Sequence, residues 1–385
     1  MVLGPTNVNR PAARAVNLAL EGQEVLVLCF NITLAHYLHD LAARHARTVG
    51  LGPGLRNITF DYFHGFCGDI LDQYGDQRSL SHDDWLDSLV SDVDDIYAMP
   101  GCTAPQFDAV LIDEGQDFKL TWWNMLRQRV LRDGGEMLLV SDRTQDVYRH
   151  SGWTDEDSML GAGFRGRWTE LKGTYRMPPD LVPVVADFAQ RYLSAENLDL
   201  PTVESDHPLL LEAYPATVRR WINADEANLA VIATDAVEHM LINHTSLHSD
   251  DLVVLADHDR GLLIADELTR RKHVMSHVFS AAPDKERQRR KRRFWGGTPG
   301  IKGCTIHSFK GWEARAVVIV LTSGSGGPRN AYVAMTRLKG DPGNRAAFIT
   351  VVNANPELST FQPRFERAIT SAEVPTLAGQ GVLDV

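Results

Sequence analysis

Short apolar runs alternate along this chain with stretches whose apolar positions recur every three or four residues. Three runs in the first half have the continuity of strands buried on both faces: residues 25–30 (VLVLCF), 109–113 (AVLID) and 137–142 (MLLVSD). Three more follow in the second half, at 251–257 (DLVVLAD), 316–323 (AVVIVLTS) and 346–352 (AAFITVV). Helical patterns lie between them. RAVNLALEG stops at Gly22, and DLVPVVADFAQRYL is introduced by Pro178 and Pro179. An acidic stretch, 83–95, reads as an exposed helix rather than a carboxylate site. The alternation predicts an α/β fold with parallel sheets covered by helices. A division near residue 165 gives two α/β domains, 1–165 and 166–360, with 361–385 as a peripheral tail.

Length agrees with that division, since 385 residues exceed one ordinary domain. No apolar run is long enough to cross a bilayer, and the N-terminus lacks the layout of a secretory signal, so a cytoplasmic protein without a membrane partner is expected. Cys29, Cys67, Cys102 and Cys304 are scattered without a CxxC pair and read as free thiols; His36 and His39 read as surface residues without a metal. A net charge of −11 argues against a surface that coats nucleic acid indiscriminately. One dense basic run, KERQRRKRR at 285–293, is followed by Phe294 and Trp295. It reads equally as a phosphate-holding, base-stacking patch and as a solvated loop.

The sharpest chemical signal is LIDEGQD at 111–117, an apolar strand ending in two consecutive acids. Open α/β sheets bind ligands at that end of their strands. Asp113 is suited to hold Mg²⁺ directly or through water, and Glu114 to orient or deprotonate an attacking water. Gln116 and Asp117 sharpen the pattern.

DEGQD resembles the second motif of the UvrD/Rep-like superfamily 1 DNA helicases, and further segments resemble later motifs in the family's order. SDRTQDVYR (141–149) is similar to the third, which implies Gln145 as γ-phosphate sensor and Tyr148 toward single-stranded DNA. LKGTYRMPPDLVPVVADFA (171–189) is similar to the fourth, with Arg176 as an arginine finger. CTIHSFKGWEARAVVIV (304–320) is similar to the fifth, with Thr305 and His307 toward DNA and Glu313 toward the nucleotide sugar. NAYVAMTRLKG (330–340) is similar to the sixth, with Arg337 as a second finger. CFN (29–31) and ITFDYFHGF (58–66) resemble DNA-contacting segments, which adds Phe30, Asn31, Thr59 and His64. The resemblance spans residues 4 to 352. It implies two RecA-like domains with the accessory insertions reduced or absent, ATP and Mg²⁺ as ligands, single-stranded DNA as substrate, and a nuclease or accessory protein as a further partner.

The phosphate-binding loop departs from the family. A P-loop requires GxxxxGK[ST]: glycines to expose backbone N–H groups, lysine for the β- and γ-phosphates, a hydroxyl for Mg²⁺. Here the chain reads GPTNVNRP at 4–11. Gly4 fits the first glycine. Asn9 stands at the second, Arg10 at the lysine and Pro11 at the hydroxyl residue. Two readings stand side by side. One is an ATP-dependent helicase or translocase (an ATP hydrolase) whose natural coding sequence starts upstream or carries an intact loop, although an earlier start alone leaves 9–11 unrepaired. The other is a non-hydrolysing nucleic-acid- or protein-binding protein that keeps the motor fold.

Overall fold

The computed structural model describes residues 2–3, 9–50, 55–75, 85–142, 161–163, 169–170, 177–193, 200–202, 216–282, 284–324, 327–340 and 345–366. The chain divides into two compact units. The first comprises residues 1–172, 276–298 and 304–312; the second comprises 173–275, 299–303 and 313–385. Both are α/β.

The first unit is built on β1 (Val2–Leu3), β2 (Val25–Cys29), β3 (Ile58–Tyr62), β4 (Phe107–Ile112), β5 (Leu131–Ser141) and β6 (Thr169–Glu170). They form one sheet in the order β3-β2-β4-β5-β1-β6, and every neighbouring pair is parallel. Four strands are of full length; β1 and β6 contribute two residues each. Parallel pairing requires crossover connections, which the helices Asn9–Leu20, Ile32–Thr48 and Phe63–Tyr74 supply. Leu26, Leu28, Val110, Ile112 and Leu139 enter a core completed by Phe63, Phe118, Trp122 and Trp123. The helix Trp85–Ala98 carries the acidic stretch expected to be exposed. Only one face of it is: Leu89, Val93 and Ile96 are buried in the same core, so it is an amphipathic element of the unit.

The second sheet contains β7 (Val218–Asn223), β8 (Leu252–Leu255), β9 (Met275–His277), β10 (Ile301–Cys304), β11 (Ala316–Leu321) and β12 (Phe348–Asn353), in the order β7-β12-β11-β8-β10-β9. The pairs β7-β12, β12-β11 and β11-β8 are parallel. The helices Leu229–Asn243 and His258–Arg270 pack in this unit, the second capped by the Asp257 carboxylate, which accepts from Arg260 N at 2.8 Å. Packing continues past residue 360: Phe361 and Phe365 are buried, with ring centroids 5.8 and 5.3 Å from that of Trp221. All four cysteines are free thiols. Among the described residues, no helix is long and apolar enough to cross a membrane.

Candidate functional site

In a parallel sheet all carboxyl ends lie on one edge, and the register of the first unit brings three of them together. Ile112 of β4 pairs with Leu139 of β5, and Leu3 of β1 pairs with Ser141. Asp113 and Glu114, which leave β4, therefore lie at the same sheet edge as Leu3, the last residue of β1. Asp113 is fully buried, and its backbone N–H donates to Leu28 O at 2.9 Å, extending the ladder one residue. Glu114 then turns the chain in left-handed backbone, φ 53° and ψ 45°. Glutamate adopts that region at a cost of about 1–3 kcal/mol, which the surrounding packing must offset. Gly115 allows the turn to lie against β5, because a Cβ there would stand 2.9 Å from Leu139 Cγ and 3.1 Å from Val140 O.

The Gln116 amide ties this turn to the end of β5. Its Oε1 accepts from Asp142 N at 2.9 Å and Ser141 Oγ at 3.2 Å, while its Nε2 donates to Glu114 Oε2. The second oxygen of Glu114, Oε1, is buried without a hydrogen-bond partner among the described residues. Lys310 completes the cluster. Its Nζ donates to Asp117 Oδ1 at 2.6 Å and Oδ2 at 2.7 Å and lies 3.7 Å from Glu114 Oε2, with all three side chains at most 3% exposed. Buried acids of this density require a buried cation, and Lys310 supplies it.

Lys310 arrives on the segment 304–312, which belongs to the first unit. Asn31 Nδ2 donates to His307 O, and Thr33 Oγ1 donates to Ser308 O. Trp312 stacks on Tyr37 at 4.8 Å. Gly311, at φ +82°, meets Leu34 so closely that a Cβ would come within 2.5 Å of Leu34 Cδ1. Thr305 Oγ1 accepts from Ser308 N at 3.2 Å and pairs with Ser308 Oγ at 2.9 Å, closing the turn locally. Burial, then the charges of Lys310 and Lys291, lower the His307 pKa below that of an ordinary imidazole. Burial first, and then the negative charge of Asp113, raises the Cys29 pKa far above that of an ordinary thiol, so this cysteine is no nucleophile.

The aromatic residues expected at DNA pack together. His64 lies 4.9 Å edge-on from Trp122, and Phe30 lies 5.4 Å edge-on from His64 and stacks at 6.1 Å on Trp122. His64 is buried, Phe30 and Asn31 are half-buried, and Thr59 is exposed on the edge strand β3. Phe294 is buried 5.4 Å from Trp312, which removes it as a base-stacking group. Trp295 packs instead against His36 at 5.3 Å and His39 at 5.9 Å; both histidines are half-buried rather than fully solvated.

In the second unit Arg337 is fully buried. Its Nε donates to Val333 O at 3.0 Å and Thr336 Oγ1 at 3.2 Å, and Nη2 donates to Thr336 Oγ1 at 2.7 Å. Glu313 forms an ion pair with Lys339. Asn9 and Arg10 form the first turn of the helix Asn9–Leu20, with Pro11 next. Gly4, Gln145, Tyr148 and Arg176 lie outside the described residues.

Among the described residues no three His, Cys, Asp or Glu side chains form a metal-binding group. A single carboxylate, Asp113, suits Mg²⁺ held mainly by water and phosphate oxygens, because that ion retains much of its hydration shell and seldom needs a protein cage. Lys310, Gln116 and Asp117 are the members of the cluster that the resemblance left without roles. Lys310 was discernible as a lysine set between Phe309, Gly311 and Trp312, where an ammonium group has to find an acid. Set beside known protein families the chain matches no family model, and no curated protein matches it.

Proposed function

We propose that this chain is the motor core of a UvrD/Rep-like superfamily 1 helicase or translocase, with two RecA-like domains that couple ATP hydrolysis to movement on single-stranded DNA. The observation that carries the reading is the buried pair Asp113–Glu114 at the carboxyl end of β4, on the sheet edge where β1 also ends at Leu3. The order of motif-like segments along the chain supports it. In this reading Asp113 holds Mg²⁺ bound to the nucleotide, and the bound ion neutralises charge on the phosphates. Glu114, with Oε1 unpartnered and Oε2 fixed by Gln116, orients the attacking water. By the resemblance, sensing of the γ-phosphate falls to Gln145 and the finger roles to Arg176 and Arg337, the last of which is buried against Val333 O and Thr336 Oγ1. Glu313 faces the sugar. The resemblance gives Phe30, Asn31, Thr59, His64, Tyr148, Thr305 and His307 to the DNA track, although His64 and Thr305 are buried and would have to be uncovered to touch a base.

A second reading, a binding protein that keeps the fold without turnover, is favoured by one observation. Pro11 is the third residue of the helix Asn9–Leu20, where a P-loop supplies its hydroxyl to Mg²⁺. Phosphate release with and without oligothymidylate separates the two. The motor reading expects stimulation by the oligonucleotide that disappears in Glu114→Gln. Oligonucleotide binding with no release, unaltered by Arg176→Ala, establishes the second reading instead.

A further inference from the structure

A helix at Asp284–Arg293 has the sequence DKERQRRKRR. Seven basic residues against two acidic ones give it a net charge of +5. The remainder of the chain, at −11 less +5, carries −16. Positive charge is therefore concentrated on one short element of an otherwise acidic molecule.

The helix is ordered by its own unit. Arg290 Nη1 donates to Phe279 O at 2.9 Å and its Nε to Glu286 Oε1 at 3.3 Å. Arg292 donates to Tyr62 OH at 3.0 Å, and Phe294 plugs the helix end into the core. With Arg287, Arg290 and Lys291 half-buried, the exposed face consists of Gln288, Arg289, Arg292 and Arg293, which line one shallow depression of about 360 Å³. These are two i,i+4 pairs, 288 with 292 and 289 with 293, stacked one turn apart. The Arg289–Arg293 pair sets like charges at that spacing, at a small cost to helix stability. Acids close by are few. Glu286 reaches Arg289 at 3.6 Å, Asp61 and Asp69 act on Arg292 electrostatically, and Arg293 has no acidic partner among the described residues.

We infer that the Arg289–Arg292–Arg293 face is a binding surface for the phosphate backbone of single-stranded nucleic acid. Guanidinium forks on a fixed helix match phosphate oxygens in pairs and leave the bases unread. An anionic bilayer is the poorer fit: the ten residues contain no apolar side chain, and an interfacial helix needs an apolar face to insert. The choice of a polynucleotide as the polyanion rests on the motor reading above, but the surface shares no residue with the Asp113–Glu114 site.

The test is an anisotropy titration of labelled oligothymidylate with the full chain at several KCl concentrations. Arg289→Gln/Arg292→Gln/Arg293→Gln is expected to bind at least about tenfold more weakly at 0.1 M salt, with a plot of log affinity against log salt shallower by about 2, since each phosphate contact to a single strand contributes about 0.7. Arg289→Gln/Arg293→Gln, which spares the Tyr62 contact, serves if the triple variant fails to fold, with a slope change of about 1.4. Arg270→Gln, on another helix, is expected to leave affinity and slope unchanged. Unaltered affinity and slope in the folded variants overturn the proposal, as does tighter binding to phosphatidylserine vesicles than to the oligonucleotide. Absence of turnover in the native chain, with the salt effect intact, counts against the motor reading alone.

Discussion

Lys310→Met isolates the electrostatics of the carboxylate cluster. The ammonium group lies 2.6 and 2.7 Å from the two Asp117 oxygens and 3.7 Å from Glu114, and all three side chains are almost wholly removed from solvent. Removing one partner of a buried pair leaves a charge that neither water nor protein satisfies, at a cost of about 3–5 kcal/mol. Methionine conserves most of the volume, so little of the loss comes from packing. The double variant Lys310→Met/Asp117→Leu removes both charges and is expected to recover most of that stability. Urea unfolding followed by tryptophan fluorescence reads this directly, because Trp122, Trp123 and Trp312 are buried in the same unit. A loss below about 1 kcal/mol for the single variant, the range of an exposed pair, refutes the reasoning. So does a double variant no more stable than the sum of the two single changes.

Two further predictions concern the surroundings of the cluster. Burial raises the Asp61 pKa to about 6 against the opposing hydrogen bond from Tyr62 N, so the protonated carboxyl favours folding below about pH 4 and that contribution is lost as pH rises through 6. Asp61→Asn should flatten the stability profile between pH 4 and 7 and add at most about 3 kcal/mol at pH 7, measured by denaturant titration across pH; a profile parallel to the native one contradicts this. Gly311→Ala combines a left-handed φ with the Leu34 contact and should cost about 1–3 kcal/mol. Adding Leu34→Ala should relieve the steric part but leave the backbone part, so complete recovery of the midpoint in urea contradicts the assignment.

The strands that the sequence revealed and those that it concealed divide by position in the sheet. Residues 25–30, 109–113 and 137–142 lie in β2, β4 and β5, and the three later runs lie in β8, β11 and β12. All six strands have neighbours on both sides; five are buried on both faces over nearly their whole length and β5 at its carboxyl end, which leaves an uninterrupted apolar run. The four edge strands, β3, β6, β7 and β9, gave no such run. VRRWIN in β7 alternates exposed and buried positions because one side of the strand is solvated. Among inner strands, β10 was obscured by Lys302, whose ammonium is buried and donates to Gly300 O at 2.8 Å, and β1 by having only two residues. At the candidate site the acids were legible because charged residues ending an apolar strand are locally conspicuous. Lys310 lies 193 residues from Asp117 in the chain, and only folding brings them together. The grouping of residues 304–312 with the first unit is equally nonlocal, since it depends on Asn31, Thr33, Leu34 and Tyr37 of a distant segment.

The nucleotide site itself is tested most directly by equilibrium titration of Mg·ATP into three forms of the full chain. These are the native sequence, a loop-restored variant Asn9→Gly/Arg10→Lys/Pro11→Thr, and the restored variant with Asp113→Asn. If residues 4–11 and Asp113 share a nucleotide at the sheet edge, the restored loop should bind at least about tenfold more tightly than the native one, and Asp113→Asn should erase most of the gain. No binding by a folded, restored chain, or a gain indifferent to Asp113, would contradict a nucleotide site there.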